Sequence, residues 1–191
     1  HDRFLQVYEL TFDVSVFSFF MPLLVGACCY VLPDTGIKFM KTVEYLQQHK
    51  ITVLSMVPGV LNYLESYLPE IYLPQLRYSF FSGDALYHLL AVKWNRSVTN
   101  AVIHNFYGPT ETTIVGTRYI FDEKRSAEES VNGIVPLGKP FEGMEFLIVD
   151  EYNVPVEKGE LCFSGTQVIA GYLNGTHEEQ FFNCNEKRYY K

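Results

Sequence analysis

The chain has 191 residues, of which 48% are hydrophobic and 19% charged, so it can bury a sizeable core and is neither disordered nor fibrous. Its formal net charge of -7 and the lack of any Lys/Arg cluster argue against a surface for nucleic acid or anionic membranes, because both need a basic patch. The cysteines show neither zinc-ligand spacing nor the framework of a small secreted domain. We interpret them as reduced thiols and expect a cytoplasmic protein.

The first part of the chain alternates between helix and strand patterns. The apolar and amphipathic runs predict helices from Val14 to about Val25, Phe39 to His49, Pro58 onward and Leu86 to Trp94. The short β-rich runs predict strands at Ala27 to Leu32, Ile51 to Leu54, Leu76 to Phe81 and Ala101 to His104. This alternation predicts an α/β fold whose mostly parallel sheet is flanked by helices and gathers ligands at the carboxyl ends of its strands.

One uncharged run, Val14 to Leu32, approaches the roughly 20 residues that a membrane-spanning helix needs. Pro22 and Gly26 interrupt it, so we favour a buried helix followed by a strand and expect no membrane association.

From about Ile114 the pattern changes to β segments punctuated by Gly and Pro. These segments are Ile114 to Phe121, Met144 to Val149 and Glu160 to Ser164. We therefore expect an α/β subdomain over residues 1-113 and a smaller β-rich subdomain over residues 114-191. The charged stretch Asp122 to Glu129 is interpreted as a solvated surface excursion rather than a functional acidic patch.

The segment Asn105–Thr113 places an aromatic ring, a turn, a hydroxyl and a carboxylate directly after an apolar strand. Tyr107 offers a flat face to a purine, Thr110 a hydroxyl to a phosphate oxygen, and Glu111 a hard oxygen ligand to Mg²⁺. The alternative is an ordinary strand followed by a Gly-Pro turn with a solvated Glu, and spacing alone does not decide between the two.

Three further segments have competing interpretations. Asp13 is a good N-cap for the helix beginning near Val14, and Ser82-Gly83-Asp84 fits an ordinary turn between a strand and a helix. Gly133–Lys139 matches the spacing of a Walker phosphate loop, but Pro140 stands where that loop needs Ser or Thr.

Residues 107–113 read Tyr-Gly-Pro-Thr-Glu-Thr-Thr, which resembles the signature of the adenylate-forming enzymes. Within them it is most similar to the amino-acid adenylation domains of nonribosomal peptide synthetases and to D-alanine carrier-protein ligases. Thr11–Val16 resembles the substrate-binding motif of amino-acid-activating members, and Gly159–Gly165 followed by Gly171–Leu173 resembles a later family motif. The resemblance covers nearly the whole chain.

The resemblance implies an ATP- and Mg²⁺-dependent ligase that converts an amino acid to aminoacyl-AMP and then loads the phosphopantetheine thiol of a carrier protein. It implies catalytic roles for Thr110 and Glu111, with Glu111 as the metal ligand. The implied nucleotide-binding residues are Ser82, Gly83, Asn105, Phe106, Tyr107, Gly108 and Thr110.

The family's specificity positions imply a substrate pocket in which Asp13 pairs with the substrate's α-ammonium. The pocket residues are Asp13, Val14, Phe17, Ser55, Phe80, Ser82, Phe106, Ile114 and Val115. Bulky rings at Phe80 and Phe106 leave less volume, so we expect a small or medium uncharged amino acid. For any one phenylalanine, a plain core role is about equally plausible.

Two alternatives stay open: an acyl-CoA ligase of the same superfamily, and a non-enzymatic nucleotide-binding or interaction module. The chain is expected to be a central fragment, because the family's phosphate loop would precede His1 and its ribose-binding aspartate would follow Lys191. We therefore expect the 191 residues alone to be inactive. The stereochemistry of the substrate, carrier protein versus CoA as acceptor, and the oligomeric state are left undecided.

Overall fold

The computed structural model describes residues 2–191 and contains two β-sheets with helices. The α-helices are α1 (Val14–Leu24), α2 (Lys38–Gln48), α3 (Gly59–Leu64), α4 (His88–Ser97) and α5 (Glu123–Glu129). The strands are β1 (Arg3–Gln6), β2 (Cys28–Val31), β3 (Val53–Met56), β4 (Tyr78–Phe81), β5 (Val102–Tyr107), β6 (Thr117–Ile120), β7 (Lys139–Pro140), β8 (Met144–Val149), β9 (Glu160–Gly165), β10 (Phe181–Cys184) and β11 (Lys187–Tyr190).

The larger sheet has seven strands in the order β2-β1-β3-β4-β5-β6-β7. The pairs β1–β2, β1–β3, β3–β4 and β4–β5 are parallel, and β6–β7 is antiparallel. The predicted fold class, a mostly parallel sheet with helices followed by a smaller β-rich part, is confirmed.

Helices cover both faces of the parallel strands, as two neighbouring residues of β4 demonstrate. The indole Nε1 of Trp94 in α4 donates to Ser79 Oγ at 2.9 Å, whereas the ring of Phe17 in α1 lies 5.7 Å from the ring of Phe80. Successive strand residues point to opposite faces, so α1 and α4 pack on opposite sides of the sheet. Trp94 is completely buried and belongs to the main hydrophobic core.

The uncharged run after Asp13 divides into a helix and a strand, as predicted. The expectation that this helix is buried was wrong, because most of the apolar side chains of α1 are exposed. Helix α1 contains Pro22 near its end, and Gly26 follows with a φ of +67°, a left-handed conformation that glycine adopts without a steric penalty. Within residues 2–191, no helix has the length and apolar character required to cross a bilayer.

Several elements differ from the sequence-based expectation. Strand β3 begins at Val53 rather than at Ile51, and β1, between β2 and β3 in the sheet, was not predicted. The charged stretch Asp122 to Glu129 forms the short helix α5, which is capped where the Asp122 carboxylate accepts a hydrogen bond from the Arg125 amide at 2.8 Å. Most residues of α5 are exposed, as expected for a solvated surface excursion, but its helical conformation was not predicted.

The smaller sheet is antiparallel, with the order β10-β11-β9-β8. Strands β8 and β9 pair along their whole length, from Met144 opposite Gly165 to Val149 opposite Glu160. Buried Cys162 packs with Val149 and Tyr189 to form a separate small core.

The chain divides into two compact units. The first comprises residues up to Phe106 together with Tyr119–Gly138, and the second comprises Tyr107–Arg118 together with Lys139–Lys191. The subdomain boundary after residue 113 stays a prediction from the sequence.

Candidate functional site

The candidate site residues fall into both compact units, so each group is described by itself. The first unit contains Asp13, Val14, Phe17, Ser55, Phe80, Ser82, Gly83, Asn105 and Phe106. The second unit contains Tyr107, Gly108, Thr110, Glu111, Ile114 and Val115.

The structure brings together the three phenylalanines proposed for the substrate pocket. The ring of Phe80 lies 5.7 Å from that of Phe17 in an edge-to-face arrangement and 5.3 Å from that of Phe106 in a stacked one. Ser55 is the register partner of Phe80 in the neighbouring strand, so its side chain lies on the same sheet face. These residues form an apolar surface beside the carboxyl ends of β3, β4 and β5.

Sequence reasoning missed His104, which lies within the same aromatic group. Its ring is 5.2 Å from Phe80 and 5.5 Å from Phe106, and the residue is buried. Residues two apart on a strand share a face, so His104 could have been assigned to this surface from its spacing to Phe106.

Asp13 lies immediately before α1 in a helical backbone conformation, with φ -60° and ψ -33°, and its side chain makes no capping hydrogen bond. The capping interpretation is therefore not supported. Asp13 is half-buried, and within residues 2–191 its carboxylate has no hydrogen-bond or ion-pair partner. A helical spacing of four residues places it on the same face as Phe17, while Val14 begins the helix.

Tyr8, another residue missed from the sequence, links two predicted pocket serines. Its hydroxyl lies 3.3 Å from Ser55 Oγ. Burial raises the pKa of the Tyr8 phenol, while hydrogen bonds with Ser55 and Ser82 oppose that increase. Both serines are buried. The phenol therefore stays neutral at physiological pH and can exchange hydrogen bonds with both hydroxyls.

Two further predicted site residues are Gly83, which follows β4, and Asn105, which lies within β5. Gly83 has a φ of +86°, which allows the chain to turn after β4. Asn105 is buried, and its Nδ2 donates to the carbonyls of Val135 at 3.2 Å and Pro136 at 3.1 Å. The Asn105 amide thus fixes the 135–136 segment beside the end of β5.

In the second unit, the turn after β5 is closely packed around Gly108. A Cβ atom on Gly108 would lie 2.5 Å from the Gly116 nitrogen and 2.6 Å from the Val115 Cα. Tyr107 is partly exposed, with its ring 6.0 Å from that of Phe163, and Thr110 is exposed. The turn thus leaves the Tyr107 ring and the Thr110 hydroxyl accessible to a ligand.

The loop after this turn is strained and is held by Gln167. Thr113 and Ile114 have φ values of +55° and +76°, and the left-handed region is particularly unfavourable for a β-branched residue such as Ile114. Thr113 Oγ1 donates to the Gln167 carbonyl at 2.7 Å, and Gln167 Nε2 donates to the Val115 carbonyl at 3.2 Å. These bonds fix the backbone that presents Ile114 and Val115.

Glu111 lies in a short helical turn and is hydrogen-bonded by a tyrosine. The Tyr172 hydroxyl donates to Glu111 Oε1 at 2.5 Å and lies 3.3 Å from the Tyr190 hydroxyl. Burial alone would raise the pKa of the Glu111 carboxyl, but hydrogen bonds from Tyr172, from its own backbone amide and from Tyr190 outweigh burial and lower that pKa. Glu111 is therefore an anion at neutral pH.

A lone carboxylate of this kind fits a Mg²⁺ ion that shares its coordination with a bound phosphate. Among the described residues, no group of three or more His, Cys, Asp or Glu side chains converges to form an all-protein metal cage. Mg²⁺ is commonly held by one or two carboxylates together with substrate phosphates and waters, so Glu111 alone suits this type of site.

Comparisons with known proteins show which family this chain resembles. A family model described as AMP-binding enzyme matches residues 1–173. The chain is 36% identical over 176 residues to gramicidin S synthase 1 of Brevibacillus brevis and 37% identical over 177 residues to tyrocidine synthase 2 of Brevibacillus parabrevis. These alignments cover 90% and 91% of this chain but 15% and 5% of the relatives. The chain thus spans a small part of their length.

A solved structure with the same fold contains a bound adenylate. The Vibrio cholerae adenylation domain AlmE, in complex with glycyl-adenosine-5'-phosphate, superposes with a TM-score of 0.84 at 35% sequence identity. The match covers 100% of this chain and 37% of that chain.

Proposed function

Because this chain belongs to the AMP-binding enzyme family, we propose that it is part of an ATP-dependent ligase that activates an amino acid. In the proposed reaction, a carboxylate oxygen of the amino acid bonds to the α-phosphorus of ATP, and the bond from that phosphorus to pyrophosphate breaks. The products are aminoacyl-AMP and pyrophosphate. A carrier-protein phosphopantetheine thiolate then attacks the acyl carbon, forming a thioester and releasing AMP.

The observation that carries this proposal is the carboxylate of Asp13, which has no hydrogen-bond or ion-pair partner among the described residues 2–191. A half-buried carboxylate without a partner is unfavourable, and the α-ammonium of an amino acid would supply the missing charge and hydrogen bonds. A plain fatty or aryl acid would leave Asp13 unpaired. Asp13 thus favours an amino-acid ligase over an acyl-CoA ligase.

We assign the substrate side chain to the apolar surface of the first unit, which includes Phe17 on the same face of α1 as Asp13. Phe17, Phe80 and Phe106 contact one another there, with Ser55 beside them. This apolar lining supports a small or medium uncharged side chain, because burying an unpaired cationic one against it would cost free energy. In AlmE, a relative of similar fold, the bound adenylate carries a glycyl group.

From the family resemblance, we assign the nucleotide to turn residues of the second unit and to two residues of the first unit. Tyr107 stacks on the adenine, Asn105 and the Gly83 backbone border it, and Thr110 contacts the phosphates. Glu111 holds Mg²⁺, which when bound neutralises charge on the phosphates. The remaining task of these residues is positioning, since two anionic reactants must be held in line for displacement at phosphorus.

Pyrophosphate exchange tests this proposal most simply. A longer protein that contains this chain is assayed with a panel of D- and L-amino acids and with acids that lack an amine. We expect exchange with a small or medium uncharged amino acid and none from the isolated 191-residue chain. Exchange only with amine-free acids would indicate an acyl-CoA ligase, and no exchange with any acid would indicate a non-enzymatic module. Turnover of only Arg, Lys or Trp would refute the pocket assignment.

A further inference from the structure

Two tyrosines from segments distant in sequence lie at Glu111, and the family resemblance assigned no role to either. One contacts the carboxylate, and the other contacts the hydroxyl of the first. Tyr172 precedes a short helical turn, and Tyr190 lies on β11. Tyr172 donates to Glu111 Oε1, and its hydroxyl is 3.3 Å from that of Tyr190. All three residues belong to the second compact unit.

The two tyrosines are themselves held by neighbouring aromatic packing. The ring of Phe181 lies 6.0 Å from that of Tyr172 and 5.3 Å from that of Tyr190. Tyr190 is buried and pairs with Phe181 across the β10–β11 ladder. The phenol groups therefore have defined positions before any ligand binds.

A backbone hydrogen bond also connects Glu111 to the segment that carries Tyr172. The Ile169 amide donates to the Glu111 carbonyl at 2.9 Å. Main chain and side chain of Glu111 are thus both tied to this segment, so the carboxylate is oriented by contacts outside its own turn.

Neutral phenols suit the task of orienting a metal-binding carboxylate. A free Glu side chain has several rotatable bonds, and fixing it at the moment of binding costs conformational entropy. A hydrogen bond from a phenol restricts the carboxylate without cancelling its charge, and an ionised carboxylate has about four lone-pair sites, so others stay open to a cation. Groups that hydrogen-bond to a ligating carboxylate typically tune metal affinity by about 10- to 100-fold.

We propose that Tyr172 and Tyr190 are positioning residues that hold the Glu111 carboxylate in the orientation in which it binds the divalent cation of the bound nucleotide. This inference rests on the proposed function, and it adds two residues that contact neither substrate nor the reacting atoms.

The test compares nucleotide binding with and without a divalent cation in a longer protein that contains this chain. Calorimetry measures the dissociation constant of ATP in EDTA and of ATP with Mn²⁺, and the electron paramagnetic resonance signal of free Mn²⁺ reports bound metal. The variants are Tyr172→Phe, Tyr190→Phe and, as a matched control, Tyr152→Phe, whose ring is exposed in the second unit. Thermal unfolding checks that each variant is folded.

We expect Tyr172→Phe to reduce the Mn²⁺-dependent gain in ATP affinity by at least about threefold, with a smaller loss for Tyr190→Phe. Binding of ATP in EDTA should stay unchanged in both variants, and Tyr152→Phe should resemble the wild type. In a Glu111→Gln background, Tyr172→Phe should cause no additional loss, because the carboxylate it positions is gone.

Two results would overturn the inference in different ways. If the wild type shows the Mn²⁺-dependent gain and Tyr172→Phe retains all of it, the positioning role is wrong while the proposed function stands. If the wild type itself gains no ATP affinity from Mn²⁺, the proposed nucleotide site fails and the inference fails with it.

Discussion

At the scale of single residues, the position of Asp13 separates a binding role from a structural one. Its side chain makes no capping hydrogen bond to α1, whereas Asp122 caps α5 through a 2.8 Å bond from the Arg125 amide. Both are aspartates that directly precede a helix in the structure, so residue type and position alone do not distinguish their functions. Of these two residues, Asp122 caps its helix through its side chain and Asp13 does not.

We expect Asp13→Ala to change the free energy of unfolding by less than about 0.5 kcal/mol, as for a substitution that removes no structural contact. Asp122→Ala serves as the matched control and should cost about 1 kcal/mol, the usual loss of a capping residue. Urea unfolding of the two variants and the wild type measures both values. A loss at Asp13 as large as that at Asp122 would show that Asp13 is a structural cap after all.

At the scale of elements, the turn between β5 and β6 depends on the absence of a side chain at Gly108. A Cβ atom there would overlap the backbone of Val115 and Gly116, which cannot rotate away as a flexible side chain would. We expect Gly108→Ala to displace this turn and to destabilise the fold by about 1–3 kcal/mol, as overpacking usually does. Urea unfolding measures this loss, and pyrophosphate exchange should fall with it.

Gly59→Ala provides the control for Gly108→Ala. Gly59 begins α3, and its added Cβ would meet Asp84 Oδ2 at an ordinary distance of 3.5 Å. Since Ala has a higher helix propensity than Gly, stability should stay the same or rise by up to about 1 kcal/mol. If Gly108→Ala were as stable as Gly59→Ala, the close packing of the turn would be refuted.

Strand β9 carries a buried thiol whose ionisation should couple to stability. Burial raises the pKa of Cys162 from 9.0 to about 11, and the nearby Glu160 carboxylate adds to this increase while Lys191 opposes it. Because the folded state holds the thiol proton more tightly than the unfolded state, this contribution to stability is complete below pH 9.0 and is lost as the pH rises toward about 11.

We therefore expect the stability advantage of the wild type over Cys162→Ala to shrink above pH 9.0. Urea unfolding at several pH values between 8 and roughly 10.5 measures this difference, and the comparison cancels the titration of tyrosines shared by both proteins. An advantage that stays constant across this range would contradict the coupling.

At the scale of the whole molecule, the sequence predicts the elements whose pattern is local. Pro22 and Gly26 divide an uncharged run, and α1 and β2 form on either side of that division. Strand β8 has the predicted bounds, Met144–Val149. These elements are predictable because their periodicity and their breakers lie within a few residues of each other.

The elements that were missed lack such a local pattern. Helix α5 is charged and mostly exposed, so no apolar stripe marks it. The β10–β11 hairpin turns at Asn185 and Glu186, both with positive φ, but without the glycine that usually identifies such a turn. Strand β1 is short, and its place between β2 and β3 follows from tertiary pairing rather than from chain order.

In the candidate site, too, a local sequence pattern predicts some features, whereas others depend on contacts between distant residues. The motif residues Tyr107 to Thr113 were found because their order resembles a family signature, and the match of the family model to residues 1–173 confirms that resemblance. The contact between Glu111 and Tyr172 joins residues 61 positions apart in sequence, so no local pattern predicts it. The roles of individual site residues stay predictions.

The most direct test of the central claim, that Asp13 selects amino acids in an adenylate-forming site, is a substrate comparison. Pyrophosphate exchange by a longer protein that contains this chain is measured with its best amino acid and with the analogue in which hydrogen replaces the amine. We predict a strong preference for the amino acid that falls at least about tenfold in Asp13→Asn, because a hydrogen bond to a charged group contributes about 1.5–3 kcal/mol. An undiminished preference in Asp13→Asn, or equal use of both acids by the wild type, would contradict the account.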